Sequence, residues 1–270
     1  MPRSLPPTHR DFLHDALAIL RIDSRIVGVA AGGSYASDSM DEHSDLDLVI
    51  AVEPEHVARV MAERAGIAAS LGPLLASFTG EHVGEPRLLI CLYAPVPLHV
   101  DLKFVAVPDL AERVEDPVVL WERDGRVTTA LASGSAAYPR PDMKWIEDRF
   151  WIWVHYGASR IARGELFEAM DFLAFLRMVV LGPLALERGG ARPQGVRKIE
   201  MAAPTFADRL RKTVAQHDAV SCAEALEAAV DLYRDLRADV VSSSAVEVAA
   251  TEYLEVTTRN MRGRARGHHS

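Results

Sequence analysis

The sequence predicts an α+β protein whose first half mixes strands with flanking helices and whose second half is all-helical. Short apolar runs typical of strands occur only before residue 122, and apolar side chains beyond residue 142 recur with helical spacing. The segment between them, 133–141, is rich in Gly, Ser, Ala and Pro. We therefore predict one domain over 1–136, a helical domain over 137–262 and a disordered tail over 263–270.

Apolar spacing defines the elements of the first half. Apolar residues that recur on one face predict helices over 8–22 and 54–69. Apolar runs bounded by turn residues predict strands over 26–31, 45–52, 87–93, 98–105 and 118–121. The strands over 87–93 and 98–105 are separated by Ala-Pro-Val-Pro, which predicts a hairpin.

The second half is predicted to contain several amphipathic helices. The first is loaded with the aromatic residues Trp145, Phe150, Trp151, Trp153 and Tyr156. A second helix over 165–181 is predicted to end near Pro183, and later helices are predicted over 206–215, 221–237 and 244–259. Ser221 with Glu224, and Ser244 with Glu247, have the spacing of capping boxes at two of these helix starts.

Composition limits the class of function. The formal net charge of −8 argues against a polymerase that grips duplex nucleic acid, because that grip needs clustered Lys and Arg. The charge is compatible with a cationic substrate, although a solvated acidic surface is the commoner reason. Cys91 and Cys222 lie in apolar runs, and we find no signal peptide and no apolar run approaching a membrane span. A cytoplasmic protein without a membrane segment is expected.

The segment 32–50, GGSYASDSMDEHSDLDLVI, carries the strongest chemical signal. Asp45 and Asp47 stand at i and i+2 at the head of a strand, so their side chains point the same way. Paired carboxylates repel unless a cation joins them, and hard oxygen ligands suit Mg²⁺. Gly33 lets backbone N–H groups approach an anion, and Ser34 adds a hydroxyl beside them. The segment therefore predicts a phosphate-binding turn beside a metal-binding pair.

A third carboxylate is predicted on the strand over 98–105. Leu98, Val100, Leu102 and Phe104 alternate with His99, Asp101 and Lys103. If this strand neighbours the one over 45–52, Asp101 lies opposite the aspartate pair. We predict that Asp101 joins them and that Lys103 either orients Asp101 or touches phosphate. His43 and His99 flank the site and are expected to be exposed or to support the aspartates.

Each signal also has a structural explanation. The aspartate pair could lie in a surface turn, Ser34 could cap a helix, and Asp101 could form an ion pair with Lys103. Known motifs fit less well, because the segment 32–50 lacks the glycine of an EF-hand loop at the required place, the GxGxxG fingerprint and the Gly-Lys-Ser/Thr of a P-loop.

The motif resembles that of the nucleotidyltransferase superfamily that includes DNA polymerase beta. There a Gly-Gly or Gly-Ser pair is followed after about ten residues by Asp-x-Asp or Asp-x-Glu. Here Gly33-Ser34 precedes Asp45-Leu46-Asp47, with ten residues between. The whole chain is similar to bacterial aminoglycoside nucleotidyltransferases. This resemblance implies a small mixed sheet with flanking helices, followed by a helical bundle.

The resemblance also implies a reaction. Asp45 and Asp47 would hold two Mg²⁺ ions that clamp the triphosphate of ATP or another nucleotide, while Gly33, Ser34 and Lys103 contact phosphate. Asp101 would bind metal and take the proton from a hydroxyl of a small molecule, such as an aminoglycoside, as a nucleoside monophosphate is transferred and pyrophosphate leaves. Some relatives draw this base from the helical domain, so a carboxylate there is the alternative to Asp101.

Two other classes of function stay open at this point. One is a nucleotidyltransferase of the toxin–antitoxin or protein-modifying type, whose acceptor is a protein side chain or RNA. The other is a non-catalytic nucleotide-binding module that keeps the fold. The sequence does not define the oligomeric state, the acceptor or the preferred nucleotide.

Overall fold

The computed structural model describes residues 2–237 and 244–267. The chain divides into two compact units, Met1–Tyr138 and Pro139–Ser270. The first contains all the strands of the described chain, and the second is helical. The α+β class is therefore confirmed, with a six-stranded mixed sheet and flanking helices in the first unit.

The sheet of the first unit has the strand order β3-β4-β5-β2-β1-β6. The strands are β1 Ile26–Ala31, β2 Leu46–Val52, β3 Leu74–Gly80, β4 Glu85–Tyr93, β5 Leu98–Ala106 and β6 Val118–Glu122. Of the pairs formed by these strands, β2 with β5 is parallel and the others are antiparallel. The predicted hairpin is β4 and β5, which pair from Tyr93 with Leu98 onward.

Helices and short turns cover the sheet. The helices of this unit are α1 Pro7–Leu20, α2 Gly33–Ala36, α3 Val57–Ser70 and α4 Arg126–Ala132, with short 3₁₀ turns at Pro54–His56, Glu81–Val83 and Val107–Ala111. Buried residues of α1 and α3 pack on one face of the sheet, against Leu46, Leu48 and Leu102 among others. The alternation read from the sequence of β5 is confirmed, because its four apolar residues on this face are all buried.

The opposite face of the sheet is covered only in part. Ala51 and Val105 pack with Val127 of α4 and with the turn Val107–Ala111. Asp47 lies four residues before Ala51, and Asp101 four residues before Val105, so both side chains are on this face of the sheet. They lie where β2 and β5 begin to pair. Both carboxylates are only half-buried. Helix α4 thus covers Ala51 and Val105 and leaves the part of this face that carries Asp47 and Asp101 accessible.

Two elements of this unit were not predicted from the sequence. Strand β3 is an edge strand with a weak apolar pattern, and its Leu75 and Phe78 are 60% and 57% exposed. Helix α4 follows the turn at Gly125, whose left-handed φ of 69° starts the helix without a side-chain cap. Their apolar residues are too few to give a clear period.

The second unit is a set of helices around one core. The helices are α5 Met143–Arg163, α6 Leu166–Leu176, α7 Gly182–Arg188, α8 Ile199–Ala202, α9 Pro204–Leu210, α10 Ala219–Leu236 and α11 Ala245–Gly267, with a π turn at Arg177–Leu181 and a 3₁₀ turn at Arg211–Thr213. The rings of Phe150 and Tyr233 stack at 3.7 Å between centroids, and Trp151 meets both edge-on. Phe150 and Trp151 of α5 therefore contribute to core packing, whereas Trp145 and Tyr156 of the same helix are exposed.

Pro183 does not end the second helix of this unit, contrary to the sequence-based expectation. The chain passes through the π turn Arg177–Leu181 and continues as α7, with Pro183 in its first turn. A proline removes one backbone donor, and the first turn of a helix has no intrahelical partner for that donor. Because the π turn ends at Leu181, Pro183 lies in the first turn of α7, where its missing N–H is tolerated.

The helix starts and ends also differ from expectation. Asp218, not Ser221, caps α10 by accepting from the Ser221 backbone N–H at 2.8 Å. Ser244 caps α11 as predicted, because its Oγ accepts from the Glu247 N–H at 3.3 Å. Helix α11 continues to Gly267, through five residues of the expected tail, whereas 268–270 lie outside the described residues. Arg262 stabilises the end of this helix by pairing with Glu224 of α10 at 3.0 Å.

One helical stretch of the described chain, Leu166–Arg188, passes by length and composition as a candidate membrane span. This corrects the expectation that no apolar run approaches that length. Of its most apolar window, 56% is buried within the structure, and Leu173, Leu176 and Val180 belong to the core of the helical unit. The stretch spans α6, the π turn and α7, and a buried core helix has the same composition as a spanning one.

Candidate active site

Three carboxylates meet where β2 and β5 begin to pair. The parallel register places Asp47 directly opposite Asp101, and Asp45 lies two residues before Asp47, just ahead of β2. One carboxylate oxygen from each lies within 4.8 Å of the others, and all three side chains are half-buried. Like charges at this separation repel, so the cluster suits a divalent cation with oxygen ligands.

The surroundings of Asp101 act on its protonation and its orientation. Burial raises the pKa of the Asp101 carboxyl, the hydrogen bond from His99 opposes this rise, and the neighbouring Asp45 carboxylate adds to it. His99 Nε2 lies 2.9 Å from Asp101 Oδ1, and the Asp101 side chain is 20% exposed against 49% for His99. A carboxylate held in this way is both oriented and more basic than an exposed one.

The glycine turn lies against Asp47. The Gly32 N–H donates to the Asp47 carbonyl oxygen at 2.9 Å, which fixes the turn beside β2. Gly33 has a left-handed φ of 55°, and a Cβ at this position would lie 2.0 Å from Asp47 Oδ2. Only glycine therefore allows the backbone to pass this close to the carboxylate.

Ser34 and Gly33 have different surroundings in the structure. Ser34 Oγ is buried and makes no hydrogen bond within the described chain. The Gly33 N–H instead donates to Glu115 Oε1 at 2.9 Å. Glu115 comes from the loop before β6, and no motif in the sequence singles it out. Because 82 residues separate it from Gly33, only the folded chain brings the two together.

Lys103 and the two histidines occupy distinct positions. Lys103 Nζ lies 2.7 Å from Glu85 Oε2, and His99, not Lys103, is the side chain that hydrogen-bonds Asp101. Glu85 also binds Arg87, and together these partners lower the Glu85 pKa to about 2. The His43 side chain is 85% exposed, in agreement with its expected position outside the ligand set.

The N-terminal segment holds the polar loop that leads to Asp45. Ser4 Oγ donates to Asp38 Oδ1 at 2.9 Å and accepts from the Met40 N–H at 3.1 Å. His9 of α1, only 3% exposed, has its Nε2 2.6 Å from the Ser44 carbonyl oxygen. No local pattern in the sequence connects Ser4 or His9 with the site. Their contacts set the path of the residues just before Asp45.

Comparison with known proteins gives a family match within the first unit. Residues 15–83 match the family model of the nucleotidyltransferase domain. This segment contains Gly33, Ser34, Asp45 and Asp47, and Asp101 lies beyond it. This part of the first unit therefore matches a nucleotidyltransferase domain, which supports an enzyme of the transferase class.

Solved structures with similar folds include two proteins of related description. One is an aminoglycoside 6-adenyltransferase from Bacillus subtilis, with 15% sequence identity and a TM-score of 0.39 over 90% of this chain and 96% of that chain. The other is a nucleotidyltransferase-like protein from Exiguobacterium sibiricum 255-15, with 14% identity and a TM-score of 0.36 over 92% of this chain and 79% of that one. A search of curated proteins gives no match. Likenesses of this degree do not define an acceptor.

Proposed function

We propose that this enzyme transfers a nucleoside monophosphate, from ATP or another nucleoside triphosphate, to a hydroxyl of a small molecule and releases pyrophosphate. One observation carries the proposal: Asp45 just before β2, Asp47 of β2 and Asp101 of β5 converge within 4.8 Å. The nucleotidyltransferase match over 15–83 gives the reaction class.

Asp45, Asp47 and Asp101 are the residues that would hold metal, and two Mg²⁺ ions are the proposed complement. Three half-buried carboxylates without a cation carry unfavourable mutual repulsion, so the donor set fits a hard divalent ion. Bound Mg²⁺ would neutralise charge on the triphosphate and on the leaving pyrophosphate. The chain's own residues then have to orient the acceptor hydroxyl, bind phosphate and accept a proton.

Asp101 is proposed as the general base. The acceptor oxygen forms a bond to the α-phosphorus as the bond between that phosphorus and the bridging oxygen breaks. The hydroxyl proton moves to an Asp101 carboxylate oxygen, and the bridging oxygen leaves as part of pyrophosphate. Burial that raises the Asp101 pKa favours this proton transfer, and His99 keeps the carboxylate in one orientation.

Gly33 and Ser34 are the proposed phosphate ligands. The close approach of the Gly33 backbone to Asp47 places an N–H beside the metal-binding pair. The buried Ser34 Oγ has no hydrogen-bond partner in the described chain, and a buried hydroxyl without one is energetically costly. A phosphate oxygen would supply that partner. Lys103 is the remaining candidate, and it would have to exchange Glu85 for a phosphate oxygen.

The proposed acceptor is a small hydroxylated molecule, with an aminoglycoside as the first compound to test. The net charge of −8 disfavours a nucleic-acid duplex as partner. Cys91 and Cys222 are both buried free thiols, which fits the proposed location in the cytoplasm. A protein or RNA acceptor is the alternative outcome of the experiments below.

A pyrophosphate-release assay tests the reaction. Each nucleoside triphosphate is incubated with Mg²⁺ and a panel of aminoglycosides, lincosamides and other hydroxylated molecules. We expect release with at least one pair, and Asp45→Asn and Asp101→Asn should each reduce it by at least about 100-fold, as loss of a metal ligand or base usually does. Glu42→Gln, which removes an exposed charge from the same loop, is the matched control.

Full nucleotidyl transfer by Asp101→Asn would remove Asp101 from the role of base. A helical-unit carboxylate would then be the next candidate. Incubation of labelled ATP with cell lysate separates the acceptor classes: label on a small molecule supports the proposal, and label on protein or RNA contradicts it. Nucleotide that binds and is never turned over by any acceptor would indicate a non-catalytic module.

A further inference from the structure

A carboxylate from the chain itself occupies the position proposed for phosphate. Glu115 Oε1 accepts a hydrogen bond from the Gly33 N–H at 2.9 Å. The same oxygen lies 2.6 Å from the place where a Cβ on Gly32 would be. The glycine turn thus already binds a carboxylate. Glu115 can approach the Gly33 N–H because Gly32 has no side chain in its way.

The backbone that carries Glu115 is anchored on both sides of the turn it makes. Arg113 Nε donates to Asp116 Oδ1 at 2.7 Å, and the Ala137 N–H donates to the Arg113 carbonyl oxygen at 2.9 Å. The Arg113 guanidinium also reaches the Gly134 carbonyl oxygen at 3.3 Å. With its neighbours held in this way, the backbone presents the Glu115 side chain to the glycine turn.

Glu115 and a phosphate cannot both use the Gly33 N–H. A backbone donor makes one good hydrogen bond, and a phosphate oxygen placed beside the carboxylate would meet a like charge at short range. The bond from an N–H to a carboxylate is also stronger than one to a neutral acceptor. Binding of phosphate at Gly33 therefore includes the cost of breaking the contact with Glu115.

We propose that Glu115 is an affinity-determining residue of the nucleotide site: it occupies the glycine turn, and the nucleotide phosphate has to displace it. This inference rests on the proposed function of that turn. A triphosphate with Mg²⁺ makes enough other contacts to meet the displacement cost, whereas a free phosphate or pyrophosphate makes fewer. Glu115 then lowers the affinity of the turn for every phosphate, and a weakly held small anion is excluded at concentrations at which the metal–triphosphate still binds.

The test compares Glu115→Gln with Glu112→Gln. Glutamine keeps the shape and an acceptor oxygen but removes the charge. Glu112 is an exposed acidic residue of the same loop and takes no part in the contacts that hold Glu115 at the glycine turn. Dissociation constants for each nucleoside triphosphate with Mg²⁺, and for pyrophosphate, are measured by titration calorimetry on the full chain.

We expect Glu115→Gln to bind the preferred triphosphate about tenfold more tightly than the wild type, which corresponds to about 1.4 kcal/mol. Pyrophosphate affinity should rise by about the same factor, because the same contact is displaced, and Glu112→Gln should change neither constant. Unchanged or weaker triphosphate binding by Glu115→Gln overturns the inference. If Glu115→Gln does not fold, Glu115→Ala is measured with the same expected direction.

Failure of the inference is distinguishable from failure of the proposed function. If the wild type binds a triphosphate and Glu115→Gln binds it equally well, the inference alone is wrong. If neither protein binds any triphosphate, the proposed function fails and the inference falls with it. The contact itself has an independent readout. The Gly33 amide proton resonance in the nucleotide-free protein should move upfield in Glu115→Gln and stay unchanged in Glu112→Gln, and no movement in Glu115→Gln contradicts the contact.

Discussion

At the scale of single residues, the site depends on how closely the backbone of Gly33 approaches Asp47. The left-handed φ of 55°, and the 2.0 Å that would separate a Cβ on Gly33 from Asp47 Oδ2, both exclude a side chain here. The same proximity puts a backbone donor beside the proposed metal ligands. One residue thus joins the two parts of the site.

Gly33→Ala should therefore damage both stability and function. The left-handed conformation alone costs about 1–2 kcal/mol with a Cβ, and displacement of the Asp47 carboxylate adds to that cost. We expect a lower melting temperature and at least a tenfold loss of nucleotidyl transfer, measured by calorimetry and by pyrophosphate release. Gly66→Ala is the control, since no atom lies within 4 Å of its Cβ position in α3. Equal behaviour of the two variants would show that the close approach does not matter.

At the scale of elements, the antiparallel pair β4 and β5 carries an ion-pair cluster beside the site. Glu85 of β4 binds Lys103 of β5 at 2.7 Å and Arg87 at 2.8 Å. Leu88 stands opposite Lys103 in the register, so the contact from Glu85 runs diagonally across the two strands. The cluster fixes the position of Lys103, two residues beyond Asp101.

The pH dependence of this cluster follows from the Glu85 pKa, which is lowered from 4.5 to about 2. A carboxyl with a depressed folded-state pKa stabilises the protein above its unfolded pKa, and loses that contribution as pH falls through the folded one. Glu85→Gln should lower the free energy of unfolding by about 1–2 kcal/mol at pH 7, after allowance for solvent screening. The difference from wild type should shrink between about pH 4.5 and about pH 2.

Denaturant unfolding of both proteins over this pH range measures the difference. Glu81→Gln is a useful control, because Glu81 is an exposed carboxylate of the neighbouring turn whose hydrogen-bond partner is Thr79. A constant gap between wild type and Glu85→Gln across the whole range would contradict the assigned partners.

At the scale of the whole molecule, the net negative charge and the cluster of three aspartates have different effects. The net charge of −8 is spread over the chain, whereas Asp45, Asp47 and Asp101 are concentrated where the two central strands β2 and β5 begin to pair. Spread surface charge acts mainly on solubility and association. A concentrated cluster acts on binding, because a divalent ion removes its internal repulsion.

Ligand binding should accordingly stabilise the protein only when metal and nucleotide are both present. A ligand at about 100 times its dissociation constant adds about 2.7 kcal/mol to the free energy of unfolding. We expect Mg²⁺ with the preferred triphosphate to raise the melting temperature by several degrees, and excess EDTA to remove the shift. Asp47→Asn should abolish it. A shift that persists in EDTA would argue against a metal-dependent site.

Local sequence patterns predict much of this protein. Alternation along β5 predicts the buried face and the opposite polar face, and the glycine turn with Asp45 and Asp47 predicts the site and its family. Weakly patterned elements such as β3 and α4 escape this kind of prediction. The expectation for Pro183 was wrong, because a proline normally ends a helix and only the preceding π turn allows the chain to continue.

The sequence by itself determined the α+β class, the strand that carries Asp101 and the resemblance to nucleotidyltransferases, because these depend on the order and spacing of nearby residues. The tertiary structure decided that Asp47 and Asp101 pair in register, that Lys103 binds Glu85, and that Glu115 reaches Gly33. Such contacts depend on which distant segments become neighbours when the sheet forms. Local spacing carries no information about a partner 82 residues away.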